Sequence, residues 1–187
     1  MKRTGDRKTI RLKEYDYSSP GEYFVTICTQ DKLYSFGKII EEEMRLSSIG
    51  EIAQRCWQEI PNHFPNIELD AFVVMPNHIH GIIVINPLVG VHYNEPLRKN
   101  AFQHTIPKSL GSIIRSYKGV VSRECRKCGH HYFLWQRNFY EHIIRDDKDM
   151  NTIREYIVNN PLQWAVDKEN LSRDHYHTSY YPRHTGA

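Results

Sequence analysis

The chain has 187 residues, with 25 Lys+Arg against 22 Asp+Glu and 40% hydrophobic residues, which is enough for one domain with a sizeable core and short for two. Its longest apolar runs, 72–75 and 82–85, fall far short of a bilayer span, and the basic start leads into no apolar signal region, so a membrane span and a secretory signal are both excluded and a cytoplasmic chain is expected. Four cysteines, Cys28, Cys56, Cys125 and Cys128, are too few for a disulfide scaffold at this size, and in that compartment they stay reduced.

Residues 1–20 read as a basic arm, with Lys2, Arg3, Arg7, Lys8, Arg11 and Lys13 opposed only by Asp6 in its first 13 positions. A folded domain is expected over 21–164. Residues 23–29 are β-branched and aromatic with no breaker, which predicts a buried strand, and a partner strand is predicted at 34–40. Ser47 or Ser48 can cap a helix in which Ile49, Ile52, Ala53, Cys56, Trp57 and Ile60 recur at three- and four-residue spacing until Pro61 stops it. Residues 69–75 and 78–85 predict two strands hinged at Pro76-Asn77, and 86–107 a long loop with Pro87, Gly90, Pro96 and Pro107.

Ser109 opens a second helix, with Leu110, Ile113, Ile114, Tyr117, Val120 and Val121 on one side and basic residues mostly on the other, ending near Cys125. A strand is predicted at 139–144, then a helix that starts among Asp146, Asp147 and Asp149 and runs to about Asn160 before Pro161. Hairpins alternating with helices suggest an antiparallel α+β sandwich. Residues 165–187 read as a polar tail with weak periodicity.

Three features can carry chemistry. In Met75-Pro76-Asn77-His78-Ile79-His80-Gly81, side-chain alternation along a strand puts His78 and His80 on one face, where two imidazoles can hold one divalent ion if a third ligand arrives from elsewhere. An ordinary pair of partly exposed histidines is the plain alternative. In Tyr156-Ile157-Val158-Asn159-Asn160-Pro161, helical spacing stacks Tyr156 and Asn160 on one face, although Asn160 also suits a helix C-cap and Tyr156 a half-buried aromatic. Cys125-Arg126-Lys127-Cys128-Gly129-His130-His131 is half of a zinc site by spacing, with no second Cys-x-x-Cys, so a zinc knuckle stands against a plain loop.

These motifs together resemble the single-tyrosine HUH transposases, specifically the group associated with REP palindromes. The likeness covers most of residues 8–165 and rests, in order, on Ile10-Arg11-Leu12-Lys13-Glu14-Tyr15-Asp16-Tyr17, on Tyr23-Phe24-Val25-Thr26-Ile27-Cys28-Thr29, on the Met75-to-Gly81 block, on Trp135-Gln136-Arg137-Asn138-Phe139-Tyr140-Glu141-His142-Ile143-Ile144-Arg145-Asp146, and on the Tyr156 motif. The resemblance implies a ferredoxin-like antiparallel sheet carrying His78 and His80, with Tyr156 as nucleophile. It implies Asn160 as third metal ligand, where related enzymes place a glutamine, and Mg²⁺ or Mn²⁺ as the ion. The implied reaction is cleavage and rejoining of single-stranded DNA beside hairpins through a 5′-phosphotyrosine.

Arg7, Lys8 and Arg11 of the arm, Arg115, Lys118 and Arg123 of the second helix, and Arg137 are the residues expected to meet single-stranded or hairpin DNA. Tyr140, near His142, is the rival nucleophile. Two other functions fit the same residues: a hairpin-binding protein that does not transpose, and a metal-dependent phosphodiesterase or nuclease that uses water. The resemblance is compatible with a monomer and with a homodimer.

Overall fold

The computed structural model describes residues 17, 19–87 and 109–170. In chain order these form β1 (Gly21–Cys28), β2 (Gly37–Ile40), β3 (Glu43–Leu46), α1 (Ser48–Gln58), the short α2 (Ile60–His63), β4 (Ile67–Val74), β5 (His78–Ile85), α3 (Leu110–Lys127), β6 (Tyr140–Ile144) and α4 (Asp147–Asn159). The four long strands make an antiparallel sheet in the order β4-β5-β1-β6. Two strand-helix-strand crossovers, β1 to β4 and β5 to β6, share this sheet, which is the ferredoxin-like α+β topology that the resemblance implies.

The expected long loop at 86–107 falls outside the described residues except for its first two positions, as do the arm residues Arg7, Lys8 and Arg11. The strand expected at 34–40 forms only from Gly37, and it pairs with β3 and not with β1. Glu41 and Glu42 join this hairpin with φ of 50° and 64°, a two-residue turn whose positive dihedrals ordinarily select Asn-Gly. Two glutamates carry no such signal, so β3 was hidden from the sequence. Pro61 lies in the first turn of α2, where its missing N–H costs nothing, and does not simply end the helix before it.

Both central strands are buried on both faces. One face carries Tyr23, Val25, Ile27, Ile79, Ile83 and Ile85 against Ile49, Ala53 and Trp57 of α1 and Ile113, Ile114, Tyr117 and Val121 of α3. On the other face Phe24, Ile82 and Ile144 meet the stripe Met150, Ile153 and Ile157 of α4. That stripe covers only part of the face, and the positions left over include both histidines of β5. Ser47, Ser109 and Asp146 cap α1, α3 and α4, each accepting a backbone N–H three residues on.

Gly81 sets how closely α1 approaches the sheet. A Cβ there would overlap the buried Trp57 indole, with Cη2 only 2.9 Å away, so α1 can lie close to β5 only because residue 81 has no side chain. Trp57 is wedged between Phe72 and Tyr117, with ring centroids at 6.0 and 5.3 Å, and has nowhere to retreat. Gly81→Ala is therefore expected to cost about 1–3 kcal/mol through overpacking, seen as a fall of several degrees in Tm on thermal unfolding.

Candidate active site

The register of β1 on β5 pairs Cys28 with His78 and Thr26 with His80, so these four side chains lie on the α4 face of the sheet. The two imidazoles are 0% and 1% exposed, with ring centroids 4.4 Å apart. They share a face, as alternation predicts, but they are buried and not on a solvent-facing side. The 3-10 turn Trp164–Val166 and residues 167–170 lie over them, with the Trp164 ring 6.1 Å from that of His78. Residues 165–170, expected to begin a polar tail, are thus part of the folded unit.

Each imidazole is oriented by a neighbour. Asn77 donates its Nδ2 to the carbonyls of Lys32 (3.2 Å) and Glu169 (2.8 Å), which leaves its Oδ1 to face His78 Nδ1 at 2.8 Å. Nδ1 is then the protonated nitrogen, and Nε2 carries the lone pair. Nε2 of His78 is buried and has no hydrogen-bond partner among the described residues. His80 is held by Thr26 Oγ1 at Nδ1 (2.9 Å) and meets the Tyr156 hydroxyl at Nε2 (3.1 Å).

Tyr156 reaches the site because α4 is fixed at two levels. Its apolar stripe packs on the sheet, and Arg154 donates Nε and Nη2 to the two carboxylate oxygens of Asp70 (2.8 and 2.7 Å), where β4 bulges against β5 between Leu69 and Phe72. One turn further, Asn160 is the C-cap residue and 1% exposed. Its Nδ2 donates to Asp167 Oδ2 (3.1 Å), while its Oδ1 is buried without a partner among the described residues. Tyr140 lies on the same sheet face on β6 but is 41% exposed, with Lys168 Nζ 5.6 Å from its ring centre.

Burial pushes the His78 imidazolium down to about 3 and that of His80 well below its ordinary range, so both rings are neutral. The same desolvation, with the Asp167 and Glu169 carboxylates adding to it and the Asn160 carboxamide opposing it, pushes the Tyr156 hydroxyl up to about 12. In the unfolded chain the two histidines titrate near 6.5. Their folded values are depressed, so the unfolded state binds more protons below that pH. Stability is then expected to fall by up to about 1.4 kcal/mol per pH unit for each ring as pH drops from 6.5, with no histidine-driven change above it. Urea unfolding at a series of pH values reads this slope.

The basic candidates are placed less simply. Arg115 and Arg123 are exposed on α3, which packs on the sheet face opposite the histidines, and Arg123 pairs with Glu124 at 3.5 Å. Lys118 differs from the expected phosphate contact. Its ammonium is committed to the carbonyls of Gln136 (2.8 Å) and Asn138 (2.9 Å), and burial lowers its pKa to about 8. Arg137 is exposed beside Trp135, Gln136 and Lys32 around an open cavity of about 700 Å³ at the end of β1. Of the cysteine pair, Cys125 is buried in α3, Cys128 is exposed at its C-cap, and neither joins a three-ligand cluster among the described residues.

One group was missed from the sequence. Asp167 is 7% exposed, and a carboxylate oxygen of it lies with one nitrogen each of His78 and His80 inside a 4.8 Å cluster. Asn160 and Asp167 thus bring two further oxygen donors to the histidine pair. Two neutral imidazoles, a carboxamide oxygen and a carboxylate suit an octahedral divalent cation. The unpartnered lone pairs of His78 Nε2 and Asn160 Oδ1 fit such a group.

No family model matches the chain. An uncharacterized protein of Haemophilus influenzae is 46% identical over 165 residues, covering 87% of this chain and 92% of its own. A candidate REP-associated tyrosine transposase of the same organism is 28% identical over 153 residues, covering 79% of this chain and 74% of its own. A solved REP-associated tyrosine transposase bound to a REP hairpin superposes with a TM-score of 0.55 at 20% identity, over 92% of this chain and 88% of that one, and so has the same fold. Among the described residues no helix is long and apolar enough to cross a membrane.

Proposed function

Because the chain belongs to the REP-associated tyrosine transposases, we propose that it cleaves and rejoins single-stranded DNA beside a hairpin through a covalent link to Tyr156. The observation that carries this reading is the contact of the Tyr156 hydroxyl with His80 at 3.1 Å, in a cluster that also holds two lone pairs with no partner among the described residues. Single-stranded or hairpin DNA is the partner this reading requires.

The proposed roles follow from the groups. Tyr156 Oη attacks a phosphodiester phosphorus in line, the bond from phosphorus to the 3′-oxygen breaks, and a 5′-phosphotyrosine and a free 3′-hydroxyl result, the latter taking up a proton. Attack by a 3′-hydroxyl on the phosphotyrosine reverses these steps and releases the phenol, so no nucleotide cofactor is consumed. A phenol raised to about 12 is a poor nucleophile at neutral pH, and His80, whose protonation burial disfavours, is a weak base for it. His78, His80 and Asn160 would hold Mg²⁺ or Mn²⁺, and a bound divalent cation supplies the charge that stabilises a phenolate and the developing phosphoryl oxygens. With the ion bound, the His80 Nε2 lone pair that otherwise holds the Tyr156 hydroxyl would go to the metal, and Thr26 and Asn77 fix the two rings so that each presents Nε2.

The test is to incubate the full chain with a single-stranded hairpin oligonucleotide and Mn²⁺ and look for a protein–DNA species that survives denaturation. A water-using nuclease would cut the DNA and leave none, and a hairpin-binding protein would do neither.

A further inference from the structure

We propose that Asp167 supplies an anionic oxygen ligand to the divalent cation of the His78-His80 site, and that it holds the Asn160 carboxamide with Oδ1 turned toward that ion. The inference deepens the proposed metal site and rests on that reading. It starts from a buried carboxylate that forms no ion pair among the described residues, an arrangement that is costly unless a cation lies close by.

What surrounds the carboxylate argues that the missing charge is a metal ion. Oδ1 of Asp167 accepts the Glu169 backbone N–H at 2.6 Å, and Oδ2 accepts Asn160 Nδ2 at 3.1 Å, which leaves each oxygen a further lone pair. One N–H of the Asn160 amide goes to Asp167, and its Oδ1 is unpartnered among the described residues. His78 has its donor nitrogen turned to Asn77 and only a lone pair at Nε2. Three side chains thus bring lone pairs to one buried cluster, and a carboxylate oxygen and one nitrogen of each imidazole lie within 4.8 Å of one another. Like groups of this kind repel without a cation between them. Of the nearby ammonium groups, Lys32 is spent on Glu169 at 3.0 Å and Lys168 lies over the Tyr140 ring, with Nζ 5.6 Å from its centre.

The segment that brings Asp167 in is anchored by its own contacts, which makes the carboxylate a fixed part of the site. Asn77 holds the Glu169 carbonyl, and Tyr34 donates its hydroxyl to Asn170 Oδ1 at 2.7 Å. Two imidazoles with one carboxylate favour Mn²⁺ over Mg²⁺, because magnesium takes oxygen ligands in preference to imidazole.

Titration of Mn²⁺ into the full chain, with the free ion followed by its paramagnetic resonance signal, tests this. The natural chain is expected to bind one ion, Asp167→Asn to bind at least tenfold more weakly, and Asp167→Glu to recover part of the loss. Without metal, Asp167→Asn sets the removal of an uncompensated charge against the loss of the acceptor for Asn160 Nδ2 while keeping one for the Glu169 N–H, so its Tm should change little. With Mn²⁺ added, the natural chain should gain the larger rise in Tm. If Asp167→Asn binds Mn²⁺ as tightly as the natural chain while His78→Ala does not, Asp167 is no ligand and the histidine site stands. If the natural chain binds no Mn²⁺, the metal site itself fails and Asp167 with it. An Asp167→Asn chain that melts lower without metal yet keeps its response to Mn²⁺ would reduce the residue to a structural support.

Discussion

Tyr156→Phe is expected to abolish the covalent DNA adduct, a loss of three or more orders of magnitude in rate, while hairpin binding stays near its original strength. The substitution deletes one oxygen from a half-buried ring whose edge rests on Phe24, with centroids at 6.1 Å, so α4 keeps its seat on the sheet. What is lost locally is the hydrogen bond at His80 Nε2, for which a cost of about 1–3 kcal/mol is expected because a buried acceptor is left unmet. Gel analysis of adduct formation beside an equilibrium binding assay separates the two effects. Tyr140→Phe serves as the comparison, and is expected to change little, because Tyr140 is exposed on an edge strand under Lys168. If adduct persists in the Tyr156 variant and disappears in the Tyr140 variant, the nucleophile lies on β6.

The second large effect is expected from the histidines. His78→Ala and His80→Ala should each remove Mn²⁺-dependent cleavage and the rise in Tm that Mn²⁺ produces. They should not behave alike otherwise. Losing His80 strands Tyr156 and Thr26 together, whereas losing His78 strands Asn77 Oδ1 alone, so His80→Ala is expected to be the less stable of the two. Each variant also lacks one ring that must gain a proton on unfolding, so its stability should fall less steeply between pH 6.5 and pH 5 than that of the natural chain. Parallel urea titrations at the two pH values, with and without Mn²⁺, resolve these contributions. Chelation of the metal should leave the natural chain folded and only lower its Tm.

How much of this was legible beforehand differs by residue, for physical reasons. Alternation placed His78 and His80 on one face, and the three-four spacing of Met150, Ile153 and Ile157 placed Tyr156 and Asn160 beside the stripe that docks, because both patterns follow from backbone geometry alone. Burial of the histidines was not legible. It comes from residues 164–170 folding back, held by Tyr34, Asn77 and Lys32, all distant in sequence. Asp167 was missed for the same reason: a lone aspartate in a polar stretch has no periodic partner. Lys118 looked like any basic residue of an amphipathic helix, and its commitment to two loop carbonyls depends on a chain path through 136–138 that no local pattern encodes. Thr26 was noted only as part of a strand, although its pairing opposite His80 follows once the register of β1 on β5 is known.

The central claim, that DNA becomes joined to Tyr156, is tested most directly by mapping the linkage. Trypsin cuts after Arg154 and Lys168, so Tyr156 lies in a peptide of residues 155–168, while Tyr140 lies in one of residues 138–145, and each peptide contains a single tyrosine. After reaction with the hairpin oligonucleotide and Mn²⁺, nuclease trimming and trypsin digestion, mass spectrometry is expected to find the nucleotide remnant on the 155–168 peptide, attached at Tyr156. A remnant on the 138–145 peptide, or cleaved DNA with no modified peptide, would contradict the account.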